Sequence, residues 1–249
     1  MDDTLLEMHE NEIDKKLEIA VVLEKIHCFD EGDGFGKAEP YLLPIFFKID
    51  GEQVYFETIE TLTLGGKVQL HLVDGGQQNL GVEKVDAGDI VTIPSKIGKW
   101  RTTLKPIAIH DYDNWALAQG VIGVFCVLME QDNMSSRVAK ACYKKLAQGI
   151  ESALNEAIPN LNEQQRSLSA EEVNDFAESI SESVQRSVIQ NQNVLENLWT
   201  AINQDDVIGW ECFIYKHSEL LSKKKKSFSR RWKNEGDWKI CGSIRMYKS

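Results

Sequence analysis

From residue 17 to 129 the chain alternates short apolar runs with polar breaks: LEIAVVLEKIHC, YLLPIFFKI, VYFETI, VQLHLV, DIVTI, PIAIH and VIGVFCVLM, separated by Gly, Asp and Asn. Runs of this length at regular spacing predict the strands of a sandwich or barrel. The breaks IDGEQV and VDGGQQNLG each place Asp-Gly between candidate strands, which favours hairpins. Pro44, inside YLLPIFF, has no amide donor and predicts an edge strand or a bulge. After Gln131 the period changes. Val138, Cys142, Leu146, Ile150, Leu154 and Ile158 recur at every fourth position, predicting an amphipathic helix that begins near Asn133 or Ser135 and is ended by Pro159. A second stripe, from Val173 and Phe176 through Ile180, Val184 and Val188 to Leu198 and Trp199, follows the capping-box-like SAEE at Ser169 to Glu172. It predicts a helix of about thirty residues. Strand signals return in VIGWECFIY at 207–215 and GDWKICGSIRMY at 236–247.

The sum predicts a mainly β chain with a helical insertion: an antiparallel β-sandwich over residues 17–249 that carries a long helical hairpin at 134–203, behind an acidic segment at 1–16. A β domain beside a separate helical domain is the alternative. Insertion is favoured because two strands left alone at the end of the chain would have unsatisfied edges unless they returned to the first sheet. No repeat with a period of 20 to 50 residues appears, which excludes a solenoid or propeller.

Length and composition narrow the function classes. A chain of 249 residues, 42% hydrophobic and 27% charged, can bury a sizeable core. The longest apolar run, Val121 to Met129, is strand-sized, far short of the ~18 residues of a spanning helix. The acidic start MDDTLLEMHENEIDKK does not read as a secretory signal, so the expected location is cytoplasmic, with peripheral membrane contact. Five scattered cysteines read as free thiols, and without CxxC, HxxxH or HExxH a zinc site has little support. GxSxG, GxxxxGK[ST] and GxGxxG are all missing, and GDGFG at 32–36 lacks the strand-turn-helix setting that cradles phosphate. His27 and Cys28 are adjacent, so on a strand they point to opposite faces and form no nucleophile-base pair. The expectation is a non-enzymatic protein.

Net charge is −11, with 28 basic against 39 acidic residues, which argues against general nucleic-acid binding. Its distribution is uneven. Lys223, Lys224, Lys225, Lys226, Arg230, Arg231 and Lys233 crowd SKKKKSFSRRWK with no acid among them. Read as a loop between two strands, this stretch has two uses. It can meet an anionic lipid surface, at about 1 kcal/mol per cation, with Phe228 or Trp232 inserting at the interface. Alternatively, it is a solvated loop that contacts an acidic protein partner or another copy of the chain.

Acids gather elsewhere. CFDEGDGFGKAEPYL, residues 28–42, sets Asp30, Glu31, Asp33 and Glu39 in a glycine-bearing loop able to offer oxygens to a hard cation such as calcium. An acidic solvated loop without a ligand is the plainer reading. In PIAIHDYDNWALAQGVIGVFCVLME, residues 106–130, Asp111 and Asp113 alternate along extended chain and can point their carboxylates to one place. Asp30, Glu31, Asp74, Asp86 and Asp89 are further loop acids that could share the rim.

These residues carry a resemblance. Asp33, Gly36, Glu39, Pro40 and Tyr41 resemble the D-x-x-G-x-x-D-P-Y signature of the first calcium loop of C-two domains, the calcium-dependent phospholipid-binding sandwiches. HDYDNWALAQGVIG is similar to their later D-x-D loop and the I-G that opens the next strand. The resemblance covers about residues 17–130 and implies an eight-stranded antiparallel sandwich. It also implies calcium held at one end by Asp33, Glu39, Asp111 and Asp113, between the protein and lipid headgroups. Two departures weaken the ion site: Glu39 replaces the usual Asp, and Ala116 to Gln119 stand where a further Asp is expected. Many members of that family have lost calcium and serve as interaction scaffolds.

The expected function is a binding module with an end-loop calcium site and a basic loop for an anionic surface or partner. The alternatives are an assembly protein whose helical pair forms a homo-oligomer interface, a metal-assisted hydrolase using Asp111 and Asp113, and a pore-forming protein.

Overall fold

The computed structural model describes residues 16–32, 36–58, 63–110, 115–118, 120–131, 135–160, 207–221 and 223–248. They are mainly β, in two packed antiparallel sheets with a helix against the outer side of one. The first sheet contains β1 (Leu17–Asp30), β6 (Ile90–Thr92), β7 (Lys99–Leu104), β12 (Lys225–Trp232) and β13 (Asp237–Lys248). The second contains β2 (Pro40–Ile49), β5 (Gln69–Leu72), β10 (Val121–Glu130) and β11 (Val207–Lys216). Their orders are β12-β13-β1-β6 and β11-β10-β2-β5. β7 also pairs with β1, at Leu17–Val22, while β6 pairs at Lys25–His27 and the short α1 (Ser95–Gly98) lies between them. β6 and β7 thus share one interrupted strand position, and each sheet has four. Two small hairpins, β3 (Val54–Thr58) with β4 (Thr63–Gly66) and β8 (Ile107–His110) with β9 (Trp115–Ala118), complete the strands among the described residues. The helices α2 (Ser136–Asn160) and α3 (His217–Leu221) flank β11 in the chain.

The apolar runs sort by layer. On β1 alternate residues Leu17, Ile19, Val21 and Leu23 are buried toward the second sheet, as expected of a sheet with one wet face. β2 and β10 are buried at every position. Leu42, Phe46, Val124 and Cys126 face the first sheet, whereas Leu43, Phe47, Phe125 and Val127 face α2. A strand covered on both sides has no use for alternation, which is why VIGVFCVLM is continuously apolar.

α2 starts where expected, with the Ser135 carbonyl accepting from Val138 and Ala139 N–H. It runs to Asn160, one residue past Pro159. Its buried side consists of Ala139, Cys142, Tyr143, Leu146, Ala147, Ile150, Ala153, Leu154 and Ile158, and Val138 is exposed. A strict four-residue step drifts by about 40° per repeat, so the first member of such a stripe leaves the face that the later ones share. The second predicted helix lies outside the described residues.

Pro44 marks neither an edge strand nor a bulge: β2 lies between β10 and β5, Pro44 pairs with Cys126, and its missing donor falls just beyond the end of the β5 ladder. β5 stops at Leu72, opposite Ile45. One residue further, the Tyr143 hydroxyl of α2 donates to the Pro44 carbonyl at 2.6 Å and accepts from Val73 N–H at 3.3 Å. The helix therefore supplies the polar contacts where the ladder ends.

Several expectations are corrected. Neither Asp-Gly makes a hairpin: the 50–53 turn joins β2 to β3, which do not pair, and residues 73–89 cross from the second sheet to the first. β4, β7 and β9 were not anticipated. The stretch expected to be a basic loop is a strand, β12.

Candidate functional site

The first acidic stretch leaves β1 at the end of the sandwich where Pro40 pairs with Glu130. Gly32 there packs so tightly on the β12–β13 turn that an added methyl would meet the Gly236 nitrogen at 2.7 Å. The β8–β9 hairpin springs from the other end, where Gly51 N–H donates to the Lys105 carbonyl and Ile49 pairs with Val121. Asp33, Asp111 and Asp113 lie outside the described residues. Glu39 is described, and its carboxylate sits 3.5 Å from Lys84 Nζ on the rim of a polar cleft of about 200 Å³ that also involves Gln78, Glu83 and Gln131.

Four of the other loop acids are engaged by groups of the same chain, while one oxygen of Glu31 is buried without a hydrogen-bond partner. Asp30 accepts from Gly32 N–H at 3.1 Å, Asp74 faces Lys140 at 3.5 Å, and Asp89 accepts from Asp86 N–H at 2.9 Å. Lys37 sits 3.0 Å from Asp86 and holds that carboxyl below its ordinary range. Among the described residues no group of three or more His, Cys, Asp or Glu could hold a metal ion. Cys28 and His27 take opposite faces of β1, as expected. Burial, helped by Glu31, pushes the Cys28 thiol up to about 12, which leaves no thiolate for nucleophilic chemistry at neutral pH.

The basic stretch is held far more firmly than a loop. β12 pairs with β13 from Lys225↔Arg245 to Trp232↔Trp238, and among the described residues its other edge has no strand partner. Phe228 packs against Phe213 in a tilted pair with ring centres 4.2 Å apart, and Trp232 is buried, donating from Nε1 to the Trp210 carbonyl at 3.0 Å. Gly209 makes room for that indole, since a side chain there would overlap the ring. The two aromatics thus point inward and anchor β12 to β11, contrary to the expectation that one of them inserts into an interface.

The cations stay at the surface, and most meet an acid from another element. Lys225 lies 3.9 Å from Glu24, Arg230 3.2 Å from Glu211, and Lys233 3.6 Å from Asp237. Arg231 binds Asp237 with both Nε and a terminal nitrogen, and Lys226 bonds Glu219. Glu24 and Glu211 are remote in sequence, whereas Glu219 and Asp237 lie just beyond the two ends of the basic stretch, and the reading from sequence missed all four. It also missed Lys239 and Arg245 of β13, which stand opposite Arg231 and Lys225. The alternation in DWKICGSIRMY was the available signal: Lys239 and Arg245 share one face because their separation is even.

One further charged cluster was not foreseen. Lys48 and Asp50 are completely buried at the far end of the second sheet, 3.0 Å apart. The three ammonium protons of Lys48 meet Asp50, Glu52 at 2.6 Å and the Thr103 carbonyl at 2.8 Å. Asp50 in turn accepts from Lys105 N–H at 2.9 Å and Glu52 N–H at 3.1 Å. Every strong donor and acceptor is matched, so the cluster ties the exit of β2 to the exit of β7 and has nothing left to offer a ligand.

No protein-family model, no curated protein and no solved structure matches this chain. No helix among the described residues is long and apolar enough to cross a membrane.

Proposed function

We propose that this chain is a non-enzymatic binding module on a C-two-like sandwich, and that it docks on an anionic surface through the basic strand β12. The observation that carries the reading is the placement of seven cations within residues 223–233, along an exposed sheet edge fixed from behind by Phe228 and Trp232. Eight strand positions in two antiparallel sheets of four support the C-two-like part. The ion pairs around β12 are solvent-exposed and individually worth little, so anionic headgroups can compete for the cations. The reading does not route through calcium. Glu39 is taken by Lys84, and the described flanks of the two acidic stretches stand at different ends of the sandwich. The assembly alternative would need an apolar helix face, and α2 spends its own on the second sheet.

Co-sedimentation with vesicles of phosphatidylcholine and phosphatidylserine tests this. The wild type is expected to bind in low salt, equally with calcium or chelator, and replacing Lys223 to Lys226 with alanine is expected to weaken binding by at least about tenfold. Equal sedimentation of that variant would leave the lysines only the role of blunting a sheet edge against aggregation. Calorimetric heat on adding calcium to the wild type, lost in Asp111→Asn/Asp113→Asn, would restore the ion to the mechanism.

A further inference from the structure

Residues directly opposite one another on paired strands share a face, so the registers of the first sheet place its outward side chains in rows. Lys225, Arg245, Ala20 and Arg101 form one row across β12, β13, β1 and β7. Arg231, Lys239, His27 and Ile90 form another, across β12, β13, β1 and β6. Between them lie Lys99, opposite Val22, and Lys25, opposite Cys241. The irregularity between Leu23 and Lys25 adds Glu24 to the same side while Ile26 and Cys28 keep facing the core. The outer face of this sheet therefore carries seven cations from four strand positions against four carboxylates, Glu18, Glu24, Asp30 and Asp237, on a chain whose net charge is −11.

Four of these cations are paired with the carboxylates of the face, Arg101 with Glu18, Lys225 and Arg245 with Glu24, and Arg231 with Asp237. Among the described residues Lys25, Lys99 and Lys239 form no ion pair, and after burial these neighbours Lys25 and Lys239 are what lower the basicity of His27. Between the rows the floor is made of short side chains: Val22, Cys241, Ser227, Ser229 and Ser243. Long cationic arms thus surround a field about 14 Å across the strands and about 20 Å along them. Apolar groups border it, with Ile90 58% exposed and Phe29 and Tyr247 each 44%.

We infer that the whole outer face of the first sheet, and not the basic strand alone, is the membrane-contacting surface, so the module lies with this sheet flat on an anionic phospholipid bilayer. The inference rests on the reading that β12 meets an anionic surface, and deepens it by fixing orientation and extent. Charge complementarity selects a bilayer: its phosphates form a dense anionic surface that several cations of one sheet face can engage together. Ile90, Phe29 and Tyr247 are placed to enter the headgroup layer. A nucleic-acid duplex read by sequence would need an element that enters a groove, and the strands of this face do not project as one.

The decisive variant is Lys99→Gln/Arg101→Gln on β7, at the opposite side of the sheet from β12. Its side chains are exposed, so the fold should be retained, to be checked by an unchanged thermal midpoint. On phosphatidylserine-containing vesicles this variant should bind about thirtyfold more weakly than wild type, as two lost surface cations imply. If it binds like wild type while the Lys223 to Lys226 alanine variant does not, contact is confined to β12 and the face-on orientation is wrong. If wild type itself fails to bind, both readings fall. If duplex DNA competes the protein off vesicles at equal phosphate concentration, the bilayer is the wrong polyanion. As an independent readout, an environment-sensitive fluorophore on Cys241, with Cys212→Ser to avoid double labelling, should shift its emission to the blue on vesicles. An unshifted spectrum in a bound protein would also overturn the orientation.

Discussion

The two sheets are built from strands of similar length and opposite exposure. The second is buried on both sides, between the first sheet and α2, and its middle strands β2 and β10 have no exposed position. The first has one buried face and one wet, cationic face. The difference teaches that a single architecture divides stability from contact: side chains of β10 are chosen by packing on two fronts, whereas every second side chain of β1, β7 and β13 is turned away from the core.

That division can be broken most severely in the second sheet. Phe125→Ala, which empties a position between β10 and α2, is expected to cost about 3 to 5 kcal/mol in urea denaturation. Lys48→Ala should cost a similar ~3 to 5 kcal/mol, because it strands the Asp50 carboxylate in the interior. The same cluster predicts a pH signature. The bonds from Lys48 hold the Glu52 carboxyl down at about 2, against an ordinary 4.5. Its stabilisation is therefore complete above about 4.5 and disappears as pH falls toward 2, and Glu52→Gln should flatten that part of the acid-unfolding curve. Tyr143→Phe removes the hydroxyl that bridges Pro44 and Val73 and should cost about 1 to 2 kcal/mol. The smallest effect on stability belongs to the first sheet's outer face, where Lys99→Gln/Arg101→Gln should change unfolding by no more than about 0.5 kcal/mol. If that change instead destabilised the fold as much as Tyr143→Phe, the proposed separation of roles would fail.

Much of the strand inventory could be read from local pattern, because alternation on β1 and the continuous apolar run of β10 are direct consequences of one-sided and two-sided burial. What escaped has physical reasons too. KWRTTL, which forms β7, has only Trp100 and Leu104 on its buried side, too few apolar groups to announce a strand. SKKKKSFSRRWK read as a loop because charge dominates composition there, although Phe228, Arg230 and Trp232 alternate with outward Ser229 and Arg231 as a strand requires. Asp-Gly marks a sharp turn but does not say which strands will pair. The cationic face was least legible of all: Lys25, Lys99, Arg101, Lys239 and Arg245 are spread over the whole chain, and only the registers bring them together.

The pairing of β1 with β13, in which Leu23 lies against Gly242, has a consequence for biosynthesis. At about 5 to 20 residues per second, a ribosome needs roughly ten to forty seconds to make the intervening polypeptide. During that interval the earliest strand has no permanent neighbour on one side, and its Ile19, Val21 and Ile26 are candidates for chaperone capture. A nascent product cut short before β13 would retain that vulnerability for as long as it survived.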